Sequence, residues 1–329
     1  MAGFLGAGKT SLLRHMLSAE HGQRLAVLVN DFGEIDVDAQ LIVNVEGETV
    51  SLANGCVCCT VREDLLREVL RLLSSGERFD RIVIETSGVS DPTVVAQTFL
   101  LPDLQGLVDV DGILSLVDAS EFLGLAGDHG ELAARQVRVA DLLLVNKTDL
   151  AAPEQVVRLR AHLRREAPRA RVLETTHGRA PLELVLGVGG SRVGEAEGLA
   201  AIPDHSRTFR TWTYSTRRPV SFLALRKALE ELPVDIYRAK GWVWVEQAPD
   251  DRAEFQMTGR RAWLRLGRGW ENVEPETQLV FIGGPDATDT DRLAQLFDRC
   301  IQDFGGRAPA DASRPVALTD LRSLSIVFE

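Results

Sequence analysis

Three cysteines, Cys56, Cys58 and Cys59, stand within four positions in the stretch NGCVCC, and the chain has one other, Cys300. Thiolates are soft ligands that suit Zn²⁺, Cu(I) or Co²⁺. Coordination needs the deprotonated sulfur, and a loop that runs into a helix N-terminus favours that form. Three sulfurs leave a tetrahedral zinc one ligand short. Water, an acidic side chain or a second protomer would complete the shell, and an incomplete shell suits handing a metal on better than holding it permanently. Adjacent Cys58 and Cys59 meet the geometry of a disulfide poorly, and a reducing compartment disfavours structural bridges. Metal binding or redox chemistry remains. Cys300, alone on an apolar helical face, reads as a core residue.

A second group of residues binds phosphate. Gly3 to Ser11, GFLGAGKTS, fits G-x-x-x-x-G-K-[ST]. The backbone N–H groups of Gly3, Gly6, Ala7, Gly8, Lys9, Thr10 and Ser11 would make a concave anion site, aided by the dipole of the helix that follows. Lys9 would reach the β- and γ-phosphates, and the Thr10 hydroxyl would ligate Mg²⁺. Glu85 ends the apolar run RIVIET, where an acid faces Mg²⁺ or its water shell, and Gly88 lets backbone approach the γ-phosphate. Lys9, Thr10 and Glu85 are therefore the expected catalytic set.

Asn146, Lys147 and Asp149 form N-K-x-D at the end of another apolar run. A carboxylate at Asp149 accepts from guanine N1–H and N2–H₂, which adenine does not offer in that arrangement. Asn146 would meet the O6/N7 edge and the Lys147 stem would lie along the base, so GTP is the expected nucleotide. The acids Asp31, Glu34, Asp36 and Asp38 of VNDFGEIDVD would form a switch segment that senses the γ-phosphate.

These residues need a frame of alternating strands and helices. RLAVLVN, RIVIET, GILSLVD and DLLLVN are short and rich in Val, Ile and Leu, like strands buried on both faces. Helical patterns fill the intervals: Lys9–Glu20, Val61–Leu73, Pro92–Leu100, Glu131–Val139 and Pro153–Glu166. The expected fold class is α/β, a P-loop NTPase parallel sheet with helices on both faces over 1–186. A Gly-rich linker follows at 187–206, then a smaller α+β domain at 207–305 and a tail at 306–329 whose apolar end would dock. In the second half, strands are expected at Arg207–Thr216, Gly241–Gln247, Ala262–Leu266 and Gln278–Ile282, with helices at Ser221–Leu232 and Asp291–Phe304. Only Met1 and Ala2 precede Gly3, so the strand that should lead into the phosphate loop reads as missing. A misassigned or truncated start is the expectation, with another segment filling the gap as the alternative. Each buried backbone group left unpaired there would cost ~1–3 kcal/mol.

The 329 residues carry a formal net charge of -11, with 45% hydrophobic and 26% charged residues. That balance fits a soluble globular protein and argues against nucleic acid as partner. No apolar run approaches the ~20 residues that cross a bilayer, and no signal-peptide pattern opens the chain. A cytoplasmic location away from membrane is expected.

Taken in order, GFLGAGKT, VNDFGEIDVD, NGCVCC, IETSG and NKTD resemble the CobW-like P-loop GTPases of the G3E type, relatives of urease- and hydrogenase-accessory metallochaperones. RPVSFLALRKAL, YRAKGWVWV and LVFIGG resemble that family's C-terminal domain, so the likeness covers roughly residues 3–304. It implies GTP hydrolysis coupled to delivery of a transition metal, zinc or else cobalt, to a client metalloprotein. It also implies Cys56, Cys58 and Cys59 as metal ligands, and Lys9, Thr10 and Glu85 at the phosphates and Mg²⁺. A homodimer is compatible with it. The rivals are a metal or redox sensor with little transfer activity and an RNA-associated GTPase, the latter disfavoured because no basic-aromatic stretch is visible. The six histidines are scattered, so no His-rich metal store is expected. Arg238 and Lys240 of YRAKGWVWV either contact a client or the GTPase domain, or belong to a strand that packs a sheet.

Overall fold

The computed structural model describes residues 1–30, 49–51, 59–99, 101–104, 106–187, 209–270, 273–284, 289–302 and 324–327. Asp31, Glu34, Asp36, Asp38, Cys56 and Cys58 lie outside the described residues, as does the expected linker beyond Gly187. The chain divides into two compact units, Met1–Val188 and Gly189–Glu329.

The first unit runs β1 (Ala2–Gly3), α1 (Lys9–Ser18), β2 (Leu25–Asn30), β3 (Thr49–Ser51), α2 (Cys59–Ser74) and β4 (Arg81–Thr86). It continues with α3 (Pro92–Thr98), β5 (Leu114–Asp118), α4 (Gly127–Arg138), β6 (Leu142–Asn146), α5 (Pro153–Glu166), β7 (Arg171–Glu174) and α6 (Leu182–Val185). Every ladder between these strands is parallel. On β2, Ala26 and Leu28 face Leu65, Val69 and Leu72 of α2, while Val27 and Val29 face Leu13 of α1. The sheet is thus covered on both faces, which is why its strands read as unbroken apolar runs.

Two ladders, β3–β2–β4 and β1–β5–β6–β7, meet at the first residue. The Met1 amine donates to Ile84 O (2.7 Å) and Thr86 N donates to Met1 O (2.9 Å). Ala2 and Gly3 pair with Ser115 and Leu116 of β5. The order is therefore β3–β2–β4–β1–β5–β6–β7, with the phosphate loop issuing from its middle. This corrects the expectation of an absent first strand. A two-residue strand stands there, long enough to serve the ends of β4 and β5 that border the loop.

The second unit runs β8 (Arg210–Thr216), α7 (Phe222–Glu230), β9 (Ile236–Trp244), β10 (Asp251–Thr258), β11 (Arg261–Gly269), β12 (Thr277–Gly283), α8 (Thr290–Gln302) and β13 (Leu324–Val327). Its strands form one antiparallel sheet in the order β13–β11–β10–β9–β12–β8. Tyr214, Phe255, Leu279 and Phe281 pack with Leu225 and Leu229 of α7 and Phe297 of α8. Cys300 is buried in this core, as read from sequence. The apolar end of the tail pairs with β11. Arg238 is 2% exposed within β9, so this stretch is a strand and Arg238 is no surface contact.

Several element ends shift from the sequence pattern, and the start of β9 shifts most. β9 starts at Ile236, and Gly241 lies inside it rather than at its start. Gly241 has φ 154, and a Cβ there would collide with Gln278 O of β12. The glycine is thus demanded by close approach of a neighbouring strand, not by a turn. The pattern also leaves β7 and β10 unmarked, although Ala253, Phe255 and Met257 alternate inward on β10. No helix among the described residues is long and apolar enough to cross a membrane.

Gly241→Ala should destabilise the second unit by ~3 kcal/mol or more, through strain and the displaced β12. Denaturant unfolding of the full chain checks this, and a loss below ~1 kcal/mol would contradict the close-approach reading.

Candidate functional site

The phosphate loop links β1 to α1. Gly8 is the N-cap of α1 at φ 103, and a Cβ on it would run into the Asn146 side chain. A Cβ on Gly6 would meet nothing within 4 Å, so the loop faces open space at that position. Lys9 is buried at 8% exposure, and its Nζ donates to Gly3 O at 3.0 Å, folding the side chain back over the loop. Thr10 Oγ1 donates to Glu85 Oε1 at 3.4 Å, and Glu85 is 3% exposed at the end of β4. A hydroxyl and a carboxylate side by side at the mouth of the loop are the hard oxygen donors that Mg²⁺ prefers. The expected Lys9, Thr10 and Glu85 are therefore brought together.

Gly88 lies directly on the loop. A Cβ there would meet Leu5 N at 2.7 Å and Leu5 Cα at 2.9 Å. Gln136 of α4 holds this turn by donating from Nε2 to Gly88 O (3.1 Å) and Ser90 O (3.0 Å). Asp91 caps α3 by accepting from Thr93 N at 2.9 Å.

On the base side, Asn146 is 1% exposed and works as a brace. Its Nδ2 donates to Ala7 O (2.9 Å) and its Oδ1 accepts from Gly178 N (3.0 Å). It ties the phosphate loop to the turn after β7, a role that the base-contact reading of the motif omits. Lys147 adopts a left-handed backbone at φ 60 and pairs with Asp118 Oδ2 at 2.7 Å. Asp118 Oδ1 also accepts from Ser120 N (2.9 Å) and Ser120 Oγ (2.6 Å). Burial pushes the Asp118 carboxyl upward, but the bonds from Lys147 and Ser120 outweigh it and hold the group below its ordinary value. Asp149 remains partly exposed, with His177 Nε2 3.8 Å from its Oδ2. Thr148 Oγ1 donates to Thr175 O at 3.3 Å.

Of the three clustered cysteines, only Cys59 falls within the described residues, where its backbone opens α2. Cys56 and Cys58 lie outside them. Among the described residues no group of three or more His, Cys, Asp or Glu is placed to hold a metal ion.

Three features of the site have no place in the motif reading: Asp118, Gln136, and the turn Thr175–Gly178. Asp118 ends a parallel strand, the same signal that marks Glu85. The turn packs on α1, since a Cβ on Gly178 would meet Leu12 N at 2.6 Å. A TTHG stretch closing a short strand is its only local mark.

Residues 1–174 match the family model described as CobW/HypB/UreG, nucleotide-binding domain. Residues 209–301 match the cobalamin synthesis protein cobW C-terminal domain. The zinc chaperone YjiA of Escherichia coli (strain K12) is 34% identical over 297 residues, spanning 86% of this chain and 92% of that protein. The zinc chaperone CobW of Pseudomonas aeruginosa is 32% identical over 323 residues, spanning 86% of each. Among solved structures, the Zn(II)-bound YjiA GTPase from E. coli is 31% identical, covering 91% of this chain and 96% of that one with a TM-score of 0.45.

Asn146→Ala would orphan two buried backbone groups. It should cost ~2–4 kcal/mol in unfolding free energy and weaken GTP binding at least about tenfold, read by denaturant melts and nucleotide titration. Unchanged GTP affinity would contradict the brace. A carboxyl held low in the folded state stabilises above its unfolded value and loses that contribution as pH falls. Wild type should therefore lose more stability than Asp118→Asn on acidification below about pH 4, the ordinary carboxylate range. Equal acid sensitivity would contradict the Asp118–Lys147 pairing.

Proposed function

This chain belongs to the CobW/HypB/UreG family of GTPases, with a CobW-type C-terminal domain, and on that premise we propose that it carries zinc on Cys56, Cys58 and Cys59 and releases it to a client metalloprotein as GTP is hydrolysed. It is a GTPase and a metallochaperone of that family. Zinc rather than cobalt is favoured as cargo because the relatives in E. coli and P. aeruginosa are zinc chaperones.

The observation that supports coupling is the strand register. Val29 of β2 pairs with Ser51 of β3 on one side and Glu85 of β4 on the other. Neighbouring strands stand ~4.8 Å apart, so Ser51 and Glu85 are about 10 Å from each other. The chain enters the thiol loop directly after Ser51, and the acidic segment leaves β2 between them. Both segments therefore start beside the end of the strand that bears Glu85.

In this reading the loop N–H groups and Lys9 hold the phosphates, and Asp149 reads guanine while Asn146 fixes the loop. Thr10 and Glu85 would hold Mg²⁺, which when bound neutralises charge between the β- and γ-phosphate oxygens. The segment Asp31–Asp38 orders against the terminal phosphate and lends support to the thiolate site. Loss of that phosphate releases the segment and weakens the grip on zinc. To move the metal from mostly bound to mostly free, nucleotide must change its affinity by ~10⁴-fold, or about 5.5 kcal/mol.

Replacing Cys56, Cys58 and Cys59 together with serine tests this. The variant should bind GTP within about threefold of wild type while losing zinc binding that responds to nucleotide. Retained, nucleotide-responsive zinc loading, measured by competition with a chromogenic chelator, would refute the assignment.

A further inference from the structure

Gln136 is 1% exposed on α4, yet its side chain serves the turn that follows β4. Its Nε2 donates to Gly88 O at 3.1 Å and to Ser90 O at 3.0 Å, so both amide hydrogens are used. Those two carbonyls also settle the amide's orientation, because turning the oxygen toward them would face three acceptors with no donor. The remaining Oε1 is buried and meets no donor. A buried carboxamide half satisfied in this way is a poor device for stability alone.

What it secures is the geometry of one turn. Ser90 N donates to Ser87 O at 3.0 Å, fixing the peptide before Gly88. Gln136 fixes the peptide after it through Gly88 O. Because peptides are planar, the N–H directions of Gly88 and Val89 are then set as well. Among the described residues no acceptor meets Gly88 N–H, although Gly88 is buried. The same helix reaches the phosphate loop itself. His129, two turns before Gln136, packs its ring on Phe4 with centroids 5.3 Å apart. One helix thus touches the phosphate loop and clamps the turn that lies against Leu5.

We propose that Gln136 is a positioning residue for GTP hydrolysis, holding the Gly88 turn so that its N–H groups meet the terminal phosphate. This rests on the reading of Gly88 as a γ-phosphate contact. Donors fixed in advance stabilise charge that builds on the transferring phosphoryl group without having to reorganise. GDP lacks that phosphate, so the clamp acts on turnover and on the preference for GTP, and leaves GDP binding alone.

Gln136→Met keeps the volume and removes both donors. Expected are a fall in kcat of about 10- to 100-fold, the scale for a misplaced group, a similar loss of preference for a GTP analogue over GDP, and GDP affinity within about threefold of wild type. Unchanged kcat in the folded variant would overturn the proposal. So would GTP-analogue and GDP affinities that fall together with thermal stability, which is the mark of a purely structural residue. Should Gln136→Met not fold, Gln136→Ala, which removes both donors and adds neither charge nor bulk, faces the same outcomes. A preference for the GTP analogue over GDP that survives Gly88→Ala, in protein otherwise wild type, would instead remove the Gly88 reading beneath the proposal.

Discussion

Parallel hydrogen-bonded register across β3, β2 and β4 is the constraint on which the account depends. It leaves no freedom in where three chain segments emerge. Val29 stands between Ser51 and Glu85, so the thiol loop and the acidic segment begin within two strand spacings of the carboxylate that meets Thr10. The register in turn needs both faces of β2 covered, by Leu65, Val69 and Leu72 on one side and Leu13 on the other. A slip of one residue would exchange those faces and bury the wrong side chains. Packing energy in the core is therefore what fixes the spacing at the site.

Asn146 adds a second constraint. One buried carboxamide bonds the phosphate loop at Ala7 and the base-side turn at Gly178. Leaving either partner unpaired is costly where Asn146 is this deeply buried. The phosphate loop and the turn after β7 consequently hold a single relative position. Gly8 completes the arrangement, since any side chain there would displace Asn146. The same logic recurs at Gly88, where backbone lies on backbone.

Much of this was legible in the sequence because it is local. GFLGAGKTS and NKTD are contiguous, and their chemistry follows from residue type and spacing. The β/α alternation is equally local, since buried parallel strands are apolar throughout. What escaped is non-local. Gln136 contacts carbonyls 48 and 46 residues away, and carbonyls have no residue identity to read. The motif marks Asn146 as a base contact, and its bonds across 139 and 32 residues add a brace that the motif does not announce. Gly241 resembles a strand boundary until β12 is seen to lie against it. The two-residue β1 is too short for any periodicity, and only its pairing with β5 and the Met1 bonds to β4 identify it.

Linkage between two sites is reciprocal in free energy. If the state of the phosphate pocket sets the grip on zinc, zinc must set the preference of the pocket by the same factor. The direct measurement is the affinity of the full chain for a non-hydrolysable GTP analogue and for GDP, each with and without saturating zinc. The account predicts that zinc raises the ratio of analogue to GDP affinity. A ratio untouched by zinc would contradict it.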